Sequence, residues 1–335
     1  MIPCPHFVRS FSAIILVLKR HPGTRCSRSS VSIFLSSKWL LLHAILLFVA
    51  CFILSSVSWA GDNTNPIHWM TDYATARELA DRQDRMLLIF FRNSENDTLG
   101  KRFETETLGN QKIREKLQDY ICVQLPLNAK ISLDNKEITL IEHPSFREML
   151  GKPGIAVIDY KHNESAYHGN VVSIFPFTEQ LPYTPEKMAV ILDLPRGTLT
   201  QRTLIFAVRT HPEKPAGTDS GEADSYLLEE AQMQAEYQAQ CCTSGHQHWD
   251  TRFQRIVSRL RGGAPREICA ESWPGQNLVE AAVECVHSWR TSSGHWSALR
   301  TRNRFFGFDM KRGNNGAWYA TGIVSTGGED GADRG

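Results

Sequence analysis

The sequence predicts a mixed α/β fold in two successive regions behind a basic, apolar leader. Residues 61–195 alternate apolar runs with amphipathic stretches, and the run at 86–91 has the continuous hydrophobicity of a strand buried on both faces. Residues 198–326 contain helix-like stretches followed by two strands around a Gly-Asn-Asn-Gly turn at 313–316. Such alternation of strands and helices is typical of layered α/β architectures.

The first 60 residues have the order of a secretory signal peptide. They contain no acidic residue and six basic ones: Arg9, Lys19, Arg20, Arg25, Arg28 and Lys38. An apolar run at 39–54 follows, and Ser58 and Ala60 satisfy the small-residue rule for cleavage. We therefore predict a secreted or periplasmic protein whose mature chain starts at Gly61. The alternative is an uncleaved membrane anchor, because the run is about long enough to span a bilayer.

Removing this leader changes the charge and leaves enough chain for two domains. The whole chain carries +1 and the leader +6, so the remaining 275 residues carry −5. A mildly acidic protein lacks the basic surface that nucleic acids require, which excludes a nucleic-acid partner. The remainder has an odd number of cysteines, so at least one thiol stays outside any intrachain disulfide. They are Cys122, Cys241, Cys242, Cys269 and Cys285.

Apolar periodicity assigns the elements of the first region, residues 61–195. The predicted strands are 86–91, 120–127, 154–160 and 171–177. The predicted helices are 74–83, 101–108, 112–117, 144–150 and 185–192. Cys122 lies inside an apolar strand, where a buried thiol acting as a small hydrophobe is expected.

Three stretches of this region resemble the thioredoxin-like superfamily: MLLIFF at 86–91, KRFETETL at 101–108 and KPGIAVIDY at 152–160. The resemblance implies a Cys-x-x-Cys motif at positions 97 and 100, but Asp97 and Gly100 stand there. It also implies a cis-proline at Pro153. Dithiol exchange needs an attacking thiolate and a resolving thiol, and this site has neither. We therefore expect a redox-silent module used for binding or packing.

Similar patterns assign the second region, residues 198–326. Helices are predicted at 200–208, 226–240, 252–260 and 278–289, strands at 305–310 and 317–324, and a polar loop at 213–225. The tail at 327–335 is rich in Gly and Asp and is predicted to be disordered. The junction of the two regions falls near 195–198, without a long flexible linker.

The second region is similar to the bacterial form of the CAP superfamily, which comprises cysteine-rich secretory proteins, antigen 5 and pathogenesis-related proteins. The specific match is Trp-x-x-Ser-x-Gly-His at 289–295, supported by Ala-Glu at 270–271 and Gly-His-Gln-His at 245–248. The resemblance implies an α-β-α sandwich whose cavity is lined by histidines and acids. It assigns His295 and Glu271, together with His246 or His248, of which His246 is preferred because it follows Gly245. Glu284 is the candidate for a second acid.

Neutral imidazoles bind zinc, and a carboxylate can orient them or act as a general base. His246 and His295 are therefore the candidate metal ligands, and zinc is the candidate cofactor. Two histidines alone hold zinc weakly. The tryptophans around these motifs are predicted to pack in the core: Trp249, Trp273, Trp289 and Trp296. A disulfide could join Cys269 to Cys285, or either of them to the Cys241–Cys242 pair.

Three functions compete. The first is an exported, non-redox binding protein whose CAP-like region recognises a protein, a lipid or a cell-wall component. The second is a hydrolase in which a metal or histidine and Glu271 activate water. The third, a thiol-disulfide oxidoreductase, is disfavoured by Asp97 and Gly100. The sequence contains no phosphate-binding loop, no Gly-x-Ser-x-Gly and no His-Glu-x-x-His motif. It therefore gives no support to a nucleoside triphosphatase or to the hydrolase classes that those motifs mark.

The basic stretch at 1–30 makes the leader longer than an ordinary signal peptide. We therefore predict that translation starts at Val31 on an alternative start codon, which gives a leader of normal form. Sequencing the amino terminus of the precursor tests this, and a precursor that contains residues 1–30 contradicts it.

Overall fold

The computed structural model describes residues 66–93, 97–133, 136–219, 221–260 and 263–327. From residue 66 onward these form one compact unit. The predicted leader, its cleavage site and residues 328–335 of the predicted tail lie outside the described ranges. Within those ranges, no helix combines the length and the hydropathy needed to cross a membrane.

The architecture is mixed α/β and contains two principal sheets and a small hairpin. The strands are β1 (Trp69–Met70), β2 (Met86–Arg92), β3 (Tyr120–Pro126), β4 (Lys130–Leu133), β5 (Lys136–Thr139), β6 (Gly154–Ile158), β7 (Val171–Pro176), β8 (Glu222–Ala223), β9 (Arg266–Glu271), β10 (Phe305–Arg312) and β11 (Trp318–Ser325). Strands β4 and β5 pair only with each other.

Nine α-helices connect the strands: α1 (Tyr73–Arg82), α2 (Thr98–Arg102), α3 (Gln111–Leu117), α4 (Pro185–Leu192), α5 (Leu199–Thr210), α6 (Ser225–Cys241), α7 (Trp249–Leu260), α8 (Leu278–Thr291) and α9 (Ser293–Arg300). This count covers the described residues alone. A π-helical segment, Phe103–Leu108, continues α2, and 3₁₀ turns occupy Leu140–Glu142, Pro144–Met149 and Ala216–Thr218.

The first sheet has the order β1-β3-β2-β6-β7. Strands β1 and β2 run parallel to β3, whereas β6 is antiparallel to both β2 and β7. Residues 86–91 of β2 are all buried, because the sheet is covered on both faces. Leu88 and Phe90 belong to one core cluster, and Leu87 and Ile89 to another on the opposite face. This burial explains the uninterrupted apolar run in the sequence.

The second sheet has the order β8-β10-β11-β9. Helices cover both of its faces: α6 and α7 pack on the face that carries Ile323, whereas α5, α8 and α9 pack on the face that carries Phe306 and Ala320. The predicted turn at 313–316 joins β10 to β11, and Gly316 adopts the left-handed φ of 81° that such a turn requires.

Two elements that matter below were not predicted from the sequence. Strand β9, Arg-Glu-Ile-Cys-Ala-Glu, was missed because charged residues at both of its ends leave only three residues between them, which hides a buried strand. Helix α9 was missed because it begins with Ser-Gly, which are weak helix formers. The expected helix at 101–108 is instead a short α-helix followed by a π-helical segment.

The expected cis-proline is wrong: no cis peptide bond occurs among the described residues, so Pro153 is preceded by a trans bond. Leu150 and Gly151 adopt left-handed φ angles of 57° and 65°, which reverse the chain before the proline. The chain therefore enters β6 with a trans bond before Pro153, and the trans isomer of such a bond is more stable than the cis isomer by about 0.5–1 kcal/mol.

Helix α5 lies between the two sheets, and residues 201–208 are all buried. Its Phe206 ring packs against Phe175 of β7 in a tilted arrangement, with ring centroids 4.6 Å apart, and the same helix packs on β10. The guanidinium of Arg202 is fully buried and donates to Ser173 Oγ (2.9 Å) and to the carbonyl oxygens of Leu194 (2.9 Å) and Pro195 (2.8 Å). Burial lowers the pKa of Arg202 to about 10.

We predict that Arg202→Met lowers the free energy of unfolding by about 3 kcal/mol or more, because two carbonyls and a hydroxyl lose a charged donor inside the core. Urea denaturation measures this loss. The control is Arg82→Met at the exposed end of α1, with an expected change within about 0.5 kcal/mol. Equal stabilities of the two variants would contradict a structural role for Arg202.

Candidate functional site

The two positions where a redox motif was expected form a helix cap instead. Asp97 precedes α2, and its Oδ1 accepts a hydrogen bond from the backbone N–H of Gly100 at 2.8 Å. A Cβ atom at position 100 would collide with the carboxylate of Asp97. The sequence positions of a dithiol therefore hold a carboxylate and a glycine that stabilise the helix start.

All five cysteines among the described residues are free thiols. Burial raises the pKa of Cys122 to about 12, which fits its predicted role as a small hydrophobe in β3. None of the disulfides considered from the sequence is formed, neither Cys269–Cys285 nor a bond from either of them to the Cys241–Cys242 pair. Cys285 points into the core on one side of β9 together with Ile268 and Ala270, whereas Cys269 alternates to the opposite face of that strand.

The most distinctive polar cluster of the chain is a pair of histidines at the β9 edge of the second sheet. His246 lies in the loop after α6, and His295 lies in the first turn of α9. Their Nε2 atoms are 3.3 Å apart, and their ring planes meet at 61°. The side chain of His246 is 45% exposed, so solutes can reach the pair.

Two buried glutamines of α6 hold the loop that carries His246. Gln234 donates from Nε2 to the carbonyl of Gly245 at 2.9 Å, and Gln238 Oε1 accepts from the N–H of Gly245 at 3.0 Å. Both glutamine side chains are buried. Gly245 has φ 153°, a conformation that other residues rarely adopt. The backbone before His246 is therefore fixed from both sides.

A buried ion pair orients the His246 ring. Glu267 of β9 has a fully buried carboxylate whose Oε1 lies 3.0 Å from His246 Nδ1. Its Oε2 accepts two hydrogen bonds from the Arg252 guanidinium of α7, at 3.0 Å and 2.6 Å. Because this carboxylate accepts hydrogen bonds, Nδ1 of His246 carries the proton and Nε2 presents its lone pair toward His295.

Burial lowers the pKa of the His295 imidazole, and the neighbouring His246 lowers it further, because two imidazolium ions at this distance repel each other. A neutral His295 can donate from Nε2 to His246 or can offer Nε2 as a ligand. His295 therefore favours the unprotonated state that binding a cation requires.

The separation of the two nitrogens fits a tetrahedral cation. Two nitrogens at about 2.0–2.1 Å from a zinc ion lie about 3.3–3.4 Å apart at the tetrahedral angle. Glu267 would then complete the carboxylate–histidine arrangement that commonly orients zinc ligands. The residues present thus fit the candidate zinc through the Nε2 atoms of His246 and His295.

A second donor set is also present. His246, Glu267 and Cys269 place one donor atom each within 4.8 Å of one another, and Cys269 Sγ is 3.8 Å from His246 Nδ1. This set is the weaker candidate, because Glu267 is already bound by Arg252. Burial and the nearby Glu267 charge also raise the pKa of Cys269 well above its usual value, which opposes thiolate formation.

The other predicted site residues lie elsewhere. His248 turns away from the pair, and its ring contacts Tyr237 at 5.4 Å. Glu271 is exposed at the end of β9. It lies on the same face of the strand as Glu267 but four residues further along, which separates the two residues by about 13 Å at the usual rise per residue. Among the described residues, neither Glu271 nor Glu284 bonds to an imidazole of the pair. Burial of Trp289 and Trp296 is confirmed.

The prediction that Trp273 packs in the core is wrong, because its side chain is 69% exposed. Ser272 turns inward at the end of β9 and bonds to the backbone of Trp318, so the next side chain alternates outward.

Sequence reasoning missed Glu267 and Arg252, the residues that orient His246. The alternation Glu267-x-Cys269-x-Glu271 places three polar side chains on one face of a strand and was the one available signal. The pairing with Arg252 has no sequence signal, since it depends on how α7 packs across β9.

Comparison with known proteins gives no match to any family model, and none to a curated protein. The thioredoxin-like and CAP-like resemblances therefore remain expectations that rest on the sequence motifs.

The pKa of His295 predicts how stability depends on pH. In the unfolded chain this histidine binds a proton near its ordinary pKa of 6.5, whereas the folded protein binds it only at lower pH. The free energy of unfolding therefore falls as the pH drops below about 6.5. Urea denaturation of the wild type and of His295→Gln across that range measures this, and the variant should lose stability less steeply. Parallel pH profiles would contradict the lowered pKa.

Proposed function

We propose that the protein is an exported, non-redox binding protein whose second region captures a ligand at the His246–His295 pair. The observation that carries this proposal is the 3.3 Å separation of the two Nε2 atoms, which a buried Glu267–Arg252 ion pair supports. An arrangement braced by buried hydrogen bonds on an exposed rim favours ligand capture over a role in packing.

The fold is consistent with a protein whose second region binds the ligand and whose first region has no redox role. In the first region, β1, α1, β2, α2, α3 and β3 are followed by the β4–β5 hairpin and two 3₁₀ turns, and then by the antiparallel strands β6 and β7 and the closing helix α4. This alternation of strands and helices supports the proposal of a thioredoxin-like region. In the second, helices cover both faces of a four-stranded sheet, as expected for a CAP-like sandwich. The absence of a dithiol at Asp97 and Gly100 argues against thiol exchange at that site.

A divalent cation such as zinc is the proposed mediator at the pair. His246 and His295 would hold it, and Glu267 would keep the Nδ1 proton of His246 in place. Two protein ligands leave coordination positions open toward solvent, where a carboxylate, a phosphate or an amide oxygen of a partner can bind. The partner is expected to be a protein, a lipid or a cell-wall component that offers such an oxygen.

The open positions also support the alternative, a metal-assisted hydrolase. A bound cation lowers the pKa of a coordinated water and supplies a nucleophile near neutral pH. Among the described residues, Glu267 is the carboxylate that contacts the pair, and because Arg252 and His246 already occupy it, it is not free to act as a general base. Metal-dependent peptide or ester hydrolysis that is lost in His295→Ala would favour the hydrolase over the binding protein.

We predict that the protein binds zinc and that His295→Ala weakens this binding at least about tenfold, because one of two ligands is lost. Isothermal titration with zinc, together with metal analysis of the purified protein, measures the effect. His248→Ala is the matched control: it removes an exposed histidine two positions from His246 and should leave zinc affinity unchanged.

Equal zinc affinity in the wild type and in His295→Ala would overturn the cation-mediated proposal. Equal losses in His295→Ala and His248→Ala would show that zinc binds to surface histidines without selecting the pair. Circular dichroism of each variant verifies that the fold is retained.

A further inference from the structure

A polar cleft lies between the two regions, away from the histidine pair. Its volume is about 700 Å³, within the range of about 300–1,000 Å³ typical of small-ligand sites. The first region contributes the turn around Leu150, and the second contributes the loop before α8 and the β10–β11 turn. The lining residues are Arg147, Glu148, Leu150, Lys152, Gly275, Gln276, Asn277, Glu280, Arg312, Gly313 and Asn314.

Polar and charged residues dominate this lining, and two of its cations, Lys152 and Arg312, lack an acidic partner among the described residues. Leu150 is the single hydrophobic residue among the eleven. Both acids are engaged: Glu148 lies 3.5 Å from Arg147, and Glu280 accepts from the N–H of Asn277 in a capping box. Lys152 and Arg312 are exposed and form no ion pair within the described part of the chain. The cleft therefore favours a polar ligand that carries negative charge.

An exposed aromatic side chain flanks the cleft. Trp273 is 69% exposed, the most exposed large hydrophobic residue of the described chain. Its backbone N–H donates to Oε1 of Gln276, a cleft residue, which ties the tryptophan to the cleft wall. Gln276 is fixed in turn, because its carbonyl accepts from Nε1 of Trp318 at 3.1 Å. An exposed indole on the loop that adjoins the cleft offers a flat apolar face to a bound ligand.

We propose that this cleft binds an acidic glycan. Lys152 and Arg312 pair with the carboxylates of the sugars, the side chains of Gln276 and Asn314 bond to hydroxyl groups, and Trp273 stacks on a sugar face. The near-absence of apolar lining argues against a lipid or a hydrophobic peptide side chain. The site shares no residue with the His246–His295 pair and does not depend on the function proposed for it.

The test uses the full exported chain and isothermal titration with tetragalacturonate, with cellotetraose as the neutral sugar and tetraglutamate as the acidic peptide. We expect tetragalacturonate to bind more tightly than either of the others. Lys152→Ser combined with Arg312→Ser should weaken its binding at least about tenfold, because charged hydrogen bonds are lost. Trp273→Ala should weaken it severalfold and should abolish the change in tryptophan fluorescence on binding.

The matched control combines Arg82→Ser with Arg300→Ser, two exposed cations outside the cleft lining, and changes the net charge equally. Equal weakening in the two double variants would reduce the effect to general electrostatic attraction and overturn the proposal. Equal binding of tetraglutamate, or full affinity in Trp273→Ala, would overturn the assignment to a glycan. His295→Ala should bind tetragalacturonate as the wild type does, which separates this site from the histidine pair.

Discussion

The burial of helix α5 between two sheets is the constraint on which the rest of the structure depends. Residues 201–208 of this helix are buried without interruption, and its apolar run at 204–208 must be kept from water. A single core cluster therefore runs from Phe90 and Val157 of the first sheet, through α5, to Phe308 and Ala320 of the second. Without this helix, each sheet would expose to water the apolar residues that α5 covers.

The polar contacts of α5 set how the two sheets are placed. Arg202 reaches the first sheet through Ser173 and the segment between the regions through the carbonyls of Leu194 and Pro195. At the other sheet, the buried Asp309 of β10 accepts from the hydroxyl of Thr200 at 2.6 Å. Burial raises the pKa of Asp309, while Lys311 opposes that rise. Because buried polar groups are costly unless bonded, these contacts favour one arrangement of the sheets over alternatives.

The two proposed ligand sites follow from this arrangement in different ways. The histidine pair forms where edge strand β9 leaves room for the α6–α7 loop on one side and α9 on the other. Its rigidity comes from Glu267, Arg252 and the glutamines of α6, all of which are buried. The polar cleft instead exists only because the two regions lie side by side, since its lining residues come from both. The histidine pair therefore depends on the second sheet alone, whereas the polar cleft depends on how the two regions pack together.

The sequence by itself determined the mixed α/β class, most helices and strands to within two or three residues, and the absence of a dithiol at positions 97 and 100. Those features follow from local apolar periodicity, capping residues and residue identity. The sequence also identified His246 and His295 as candidate site residues. Only the tertiary structure decided that Glu267, not Glu271, contacts His246, that Cys269 and Cys285 lie on opposite faces of β9, and that Trp273 is exposed. Each of these depends on which face of β9 is covered by which helix, and that choice is made by long-range packing, which leaves no periodic signal in the chain.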